Sequence, residues 1–189
     1  MIRQQKPSMT PLYKIVMIIL CGVFLCPLAH AAKVSKKNAA PVVERLGAFG
    51  QWVVYQTQEQ NAPLCFMRSQ PQQHTKFKKK RGAVSLTIAM RPLENVMGEI
   101  SYASGVTLRP GQPVSLTIDG AKNFRLFSTQ WSAFAPDGRT DQYIVAAMKG
   151  GHQATIAAET ATQQRIADQF SLAGVTAAWQ IMQKACAIR

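Results

Sequence analysis

Two segments of strict alternation constrain the fold of this chain more than any other feature. In Val84-Ser-Leu-Thr-Ile-Ala-Met-Arg91 the large apolar residues Val84, Leu86, Ile88 and Met90 alternate with Ser85, Thr87, Ala89 and Arg91. Val114-Ser-Leu-Thr-Ile-Asp119 repeats the device, with Val114, Leu116 and Ile118 on one side. A period of two places every apolar side chain of an extended segment on one face. Both segments are therefore predicted to be strands with one face in a core and the other in water.

Turn signals surround them. Asp119-Gly120 leads into Lys122-Asn-Phe-Arg-Leu-Phe127, a predicted hairpin. Further turns are expected at Arg109-Pro-Gly111 and Pro136-Asp-Gly138. Lys149-Gly-Gly151 separates Tyr143-Ile-Val-Ala-Ala-Met148 from Gln153-Ala-Thr-Ile-Ala157 and suggests another hairpin. Phe49-Gly-Gln-Trp-Val-Val-Tyr55 reads as one strand with Trp52 as a core anchor, and Leu64-Cys-Phe-Met67 as a short one. From Val175 the spacing changes: Val175, Ala178, Trp179, Met182, Ala185 and Cys186 recur as one stripe of a helix that starts near Gly174 or Thr176. The expected fold class is mainly β, an antiparallel sandwich or barrel-like domain with a short C-terminal helix.

The beginning of the chain is of another kind. Arg3, Lys6 and Lys14 precede the apolar run Ile15 to Cys26, and no acidic residue occurs before Glu44. The run ends at Pro27, and Ala29-His30-Ala31 offers the small-x-small pattern of a signal-peptidase site, with cleavage between Ala31 and Ala32. A run of ~12–15 residues is shorter than the ~20 needed to span a bilayer. A cleaved signal over residues 1–31 is thus favoured over an N-terminal inner-membrane anchor, the alternative that Lys33, Lys36 and Lys37 keep open. Residues 32–48 are expected to be a flexible lead-in and 49–189 a single exported domain, periplasmic or extracellular.

Cleavage leaves 189 − 31 = 158 residues, enough for one core. It removes three of the 22 Lys+Arg and none of the nine Asp+Glu, so the mature charge is 19 − 9 = +10. Such a balance points to anionic partners: envelope or host-surface polymers, or lipids. Nucleic acid is the weakest candidate, because the signal routes the chain away from it. Cys65 and Cys186 are the only cysteines left, and an oxidising compartment makes a disulfide between them the expected state.

Signs of chemistry are sparse. The chain has no Gly-x-Ser-x-Gly elbow, His-Glu-x-x-His pair, P-loop or dinucleotide fingerprint, and nothing in it implies a cofactor or metal. His74 and His152 fall in polar, loop-like contexts, and Glu94 and Glu99 form a carboxylate pair only if folding places them so. A small envelope hydrolase, its residues converging only in the fold, is the alternative to a non-enzymatic binding protein. The most distinctive segment is Lys76-Phe77-Lys78-Lys79-Lys80-Arg81, between two predicted strands. Its five charges around Phe77 suit an anionic surface, with the ring partly inserted at an interface. Lysines beside an apolar strand equally act as gatekeepers against edge-to-edge pairing.

Taken in order, the modest motifs of the domain resemble the invasion-associated locus B family of exported proteobacterial proteins. They are Phe49-Gly-x-Trp52, Cys65-Phe66, Arg81-Gly82 and Thr87-x-x-x-Arg91-Pro92. Asp141-x-x-Ile144-x-x-Ala147-Met148-Lys149-x-Gly151, Asp168-x-Phe170-Ser171-Leu172-x-Gly174-x-x-Ala177-Ala178 and Cys186 follow. The resemblance implies an exported β-rich domain, linked in some pathogens to entry into host cells, with no established reaction and no catalytic residues to carry over. The chain departs from the family pattern at Glu159-Thr-Ala-Thr-Gln-Gln-Arg-Ile-Ala167.

Overall fold

The computed structural model describes residues 42–77 and 81–187. The segment read as a signal, its expected cleavage site at Ala31 and Ala32, and Lys78 to Lys80 lie outside the described residues. Among the described residues eleven strands follow in chain order, the first six being β1 (Glu44–Phe49), β2 (Trp52–Glu59), β3 (Ala62–Ser69), β4 (Gln73–His74), β5 (Ser85–Arg91) and β6 (Val96–Ala103). Then come β7 (Val114–Ile118), β8 (Lys122–Ser128), β9 (Ser132–Phe134), helix α1 (Gly138–Gly150), β10 (Gln153–Glu159), β11 (Arg165–Ser171) and helix α2 (Val175–Ala185). All pairings are antiparallel, in the order β1-β2-β3-β5-β6-β9-β8-β7-β10-β11-β4. The fold is mainly antiparallel β, and the sheet does not close into a barrel.

The alternating segments become β5 and β7 as expected. Leu86, Ile88 and Met90 are buried in β5, and Val114, Leu116 and Ile118 in β7. The Asp119-Gly120 hairpin forms with both residues at positive φ, 51° and 69°, the left-handed conformation that a two-residue β-turn needs. The Asp119 carboxylate then accepts the backbone N–H groups of His152 and Gln153 at 2.9 and 2.8 Å, tying this tip to the start of β10.

The sheet folds back so that its two ends share one core. Trp52 of β2 donates its indole N–H to the Ser171 carbonyl of β11 at 2.9 Å. Tyr102 of β6 meets Phe170 of β11 edge-on, with ring centroids 6.5 Å apart. Trp52, Tyr102 and Phe170 are all fully buried. As predicted, α2 buries Val175, Ala178, Trp179 and Met182. Cys186 caps its end and is bonded to Cys65 of β3, with Cα atoms 6.0 Å apart. Gly174 precedes α2 at φ 93°, and an added Cβ would lie 2.1 Å from the Phe49 carbonyl oxygen. Only glycine lets the β1–β2 turn come this close to the helix start.

Three expectations are corrected. Tyr143 to Met148 is not a strand of a hairpin but the body of α1. Asp141, Ile144, Val145, Ala147 and Met148 are the buried positions, a spacing of three and four that makes a helical stripe. Pro136-Asp-Gly138 is its start signal: Asp137 is the N-cap, and its side chain accepts the Thr140 N–H at 2.7 Å. Lys149-Gly-Gly151 ends this helix instead of turning a hairpin, because the cap and the buried face decide for helix. At the other end, the run from Phe49 to Tyr55 is split by a turn at Gly50 and Gln51, so that Phe49 pairs with Trp52. Order begins at β1, inside the segment expected to be a flexible lead-in, because β1 gains a full antiparallel partner in β2.

Candidate functional site

The basic segment lies on a long crossover from β3 to β5. After Ser69 the chain leaves its neighbours in the sheet and reaches β11. There the Gln72 N–H donates to the Gln169 carbonyl at 2.8 Å, and the Thr75 N–H to the Ala167 carbonyl at 3.1 Å. The Thr75 hydroxyl oxygen accepts the Ala167 N–H at 2.8 Å in return. These bonds hold the outgoing limb, and β4 becomes the last strand of the sheet.

Arg81 holds the returning limb. Its guanidinium donates Nη1 and Nη2 to the two carboxylate oxygens of Asp168, each at 2.7 Å. Nη2 also reaches the Tyr102 hydroxyl at 3.0 Å, and Nε the Ser104 carbonyl at 2.6 Å. The Tyr102 hydroxyl itself donates to Asp168. The side chains of Arg81 and Asp168 are 5% and 0% exposed, so this is a buried, bidentate pair with its spare donors and acceptors satisfied. Burial alone would lower the Arg81 pKa, but the hydrogen bond and charge of Asp168 outweigh it and raise it above its ordinary value. Burial, reinforced by Asp168, pushes the Tyr102 phenol well above its ordinary value, so Tyr102 acts as a neutral donor.

The predicted patch is therefore divided. Lys76 is exposed, and the sequence places Lys78, Lys79 and Lys80 between it and Arg81. Arg81 itself belongs to the interior rather than to a surface patch, since its charge is matched by Asp168. Phe77 is half-buried, packs against the core and lies under the Arg81 guanidinium at 5.7 Å. The ring thus stacks between the core and the returning limb at Arg81. Beside it opens a cleft of about 490 Å³ bordered by Gln70, His74, Lys76 and Phe77.

The other candidates are dispersed. His74 is exposed in β4, and His152 stands 3.6 Å from Asp119 at the surface. Glu94 and Glu99 do come together, but both bond to Arg91, which holds them in one surface ion-pair cluster. Among the described residues, no group of three or more His, Cys, Asp or Glu could hold a metal ion, and no helix is long and apolar enough to cross a membrane. Asp168 is the key residue that reading the sequence for chemistry missed. The signal was present: in β11 it occupies the inward position between Ile166 and Phe170, where a carboxylate requires a buried partner.

The sequence model of the Invasion associated locus B (IalB) protein family matches residues 52–183. The chain belongs to this family. Its fold is similar to that of the crystal structure of invasion associated protein B from Bartonella henselae. The TM-score is 0.55 at 17% identity, covering 76% of this chain and 95% of that one. Among curated proteins none matches the chain. The invasion-associated locus B motifs meet in space. Arg81-Gly82 contacts Asp168 of the Asp-x-Phe-Ser-Leu block, Phe49-Gly50 touches Gly174, and Cys65 is bonded to Cys186. These contacts build the scaffold. The segment Glu159 to Ala167 spans the end of β10, its connection to β11 and the start of β11.

Proposed function

We propose that this invasion-associated locus B domain acts after export as a non-enzymatic binding module for anionic material of the cell envelope or a host surface. It engages that material through the crossover between β3 and β5. The observation that carries the reading is the double anchorage of the crossover, at Thr75 by Ala167 and at Arg81 by Asp168. In the sequence Lys78, Lys79 and Lys80 fall between those two anchored points. Charge supports the reading. Glu94, Glu99, Glu159 and Asp168 are bonded to arginine, while Asp119, Asp137 and Asp141 accept backbone N–H groups. Most of the nine acids are thus engaged locally, and the excess of Lys and Arg gives the chain its field. A role in invasion, with which the name of the Bartonella henselae protein associates it, would use the same contact.

Replacing Lys78, Lys79 and Lys80 together by Gln tests the proposal. Binding to anionic vesicles and to acidic polysaccharide is expected to weaken, and its dependence on salt to flatten. Unchanged binding across the salt series would leave the lysines as gatekeepers. One observation favours that second reading: β4, which ends at His74 shortly before them in the sequence, is a two-residue edge strand, the kind of edge that charge protects from pairing.

A further inference from the structure

The sheet has a gap beside β9. That strand pairs with β6 only at Ser101 to Ala103 and with β8 only at Phe127 and Ser128, then ends at Phe134. β6 runs on to Val96 with β5 along one side and, among the described residues, no strand along the other. One residue past the last pair, the Ile100 N–H donates to Asp141 Oδ1 at 2.8 Å. Here opens a cleft of about 520 Å³ bordered by Met97, Glu99, Phe127, Phe134, Asp137 and Asp141. That volume is in the range that accepts a small ligand or a few side chains of a peptide.

The walls are apolar and the floor is acidic. Met97 and Phe127 are 44% and 50% exposed, and the Phe127 and Phe134 rings lie 5.7 Å apart. Asp137 caps α1, and Glu99 shares Arg91 with Glu94. Asp141 is only 8% exposed, and Ile100 occupies one of its carboxylate oxygens; among the described residues the other has no hydrogen-bond partner. The carboxylates of this cleft thus oppose the sign of the protein as a whole, whose net charge is +13.

We propose that this cleft receives an extended peptide of a partner protein, with a lysine or arginine reaching Asp141 and an adjoining apolar side chain packing between Met97 and Phe127. The Ile100 N–H on this side of β6 is already taken by Asp141, so the cleft selects through side chains. A basic residue beside an apolar one on a peptide matches its buried carboxylate and exposed apolar walls together. Burial holds the Asp141 carboxyl above its usual range, against the lowering effect of the Ile100 N–H, and Glu99 and Asp137 add to the rise. An incoming cation would relieve that unfavourable burial. This inference is independent of the proposal for the crossover, because the ligand carries the opposite charge and binds elsewhere.

The test uses protein expressed from the full chain and purified oxidised. It is titrated in ¹⁵N NMR with the acetylated, amidated peptide Val-Lys-Phe-Lys-Val and with its Val-Glu-Phe-Glu-Val counterpart. The lysine peptide is expected to shift the amides of Met97, Phe127 and Gly138, and the glutamate peptide to leave them unchanged. Asp141→Asn keeps an oxygen for the Ile100 N–H and removes the charge; Phe127→Ser, at a half-exposed position, removes a wall. Each should weaken binding about tenfold, with the folded spectrum retained. Equal binding of the two peptides, undiminished binding by both variants, or shifts confined to the crossover would overturn the proposal. So would concentration-dependent dimerisation that protects this cleft, since the occupant would then be a second copy.

Discussion

Arg81 and Asp168 stand 87 positions apart in the chain, yet they meet through two parallel hydrogen bonds of 2.7 Å in the interior. This pair joins the crossover to β11 and holds Tyr102 between them. Removing one partner leaves the other charge buried without compensation. Asp168→Asn is accordingly expected to cost about 3–5 kcal/mol in urea unfolding. Tyr102→Phe, which removes one hydrogen bond to a charged group, should cost about 1.5–3 kcal/mol. The crossover amides should lose exchange protection in Asp168→Asn before the strands do. Full retention of both stability and protection would show that the limb is held by its backbone bonds to β11 alone.

The Cys65–Cys186 bond closes a separation of 121 residues and fastens the end of α2 to β3. Loop-closure entropy assigns a cross-link of this span roughly 4–5 kcal/mol. The helix it holds is short, and such helices are marginal in water without docking. Reduction, or Cys186→Ser, should lower the melting temperature and make α2 the first element to open, while the sheet keeps most of its far-UV signal. Thiol titration of the unfolded, non-reduced protein checks the bond directly, and two reactive thiols would contradict it.

Asp119 gives the acid limb of stability a specific contributor. The backbone N–H of Gln153, followed by that of His152, lowers its pKa below the ordinary carboxylate value. A carboxylate depressed in the folded state contributes stability that is complete above its unfolded pKa and is lost as pH falls through the folded one. The advantage of the wild type over Asp119→Asn should therefore be present at neutral pH and shrink below about pH 4. Denaturant unfolding at a series of pH values measures it. A difference that stays constant down to pH 2 would remove the carboxylate charge from the explanation.

Processing is decided by mass. The charged start, the apolar run and Ala29-His30-Ala31 predict cleavage after Ala31, leaving a chain that begins at Ala32. Intact mass of the exported protein should match residues 32–189. A protein that retains Met1 in the envelope would support the anchored alternative.

Local pattern alone determined much of this protein. Alternation in β5 and β7, the Asp119-Gly120 turn and the helical stripe of α2 are each legible within a dozen residues, because burial of one face imposes a period. The disulfide was legible for another reason: outside the segment read as a signal, Cys65 and Cys186 are the only cysteines, and two cysteines have one pairing. The same local logic misread Tyr143 to Met148, where strand-favouring residues occupy a helix that Asp137 caps and the core selects. What only the tertiary structure decided is which charges are free. Arg81 and Lys76 look alike in a run of basic residues, and nothing local predicts that one is buried and the other exposed. That difference arises because the sheet folds back and brings the inward face of β11 against the crossover. A carboxylate buried there must find a cation, and Arg81 meets it.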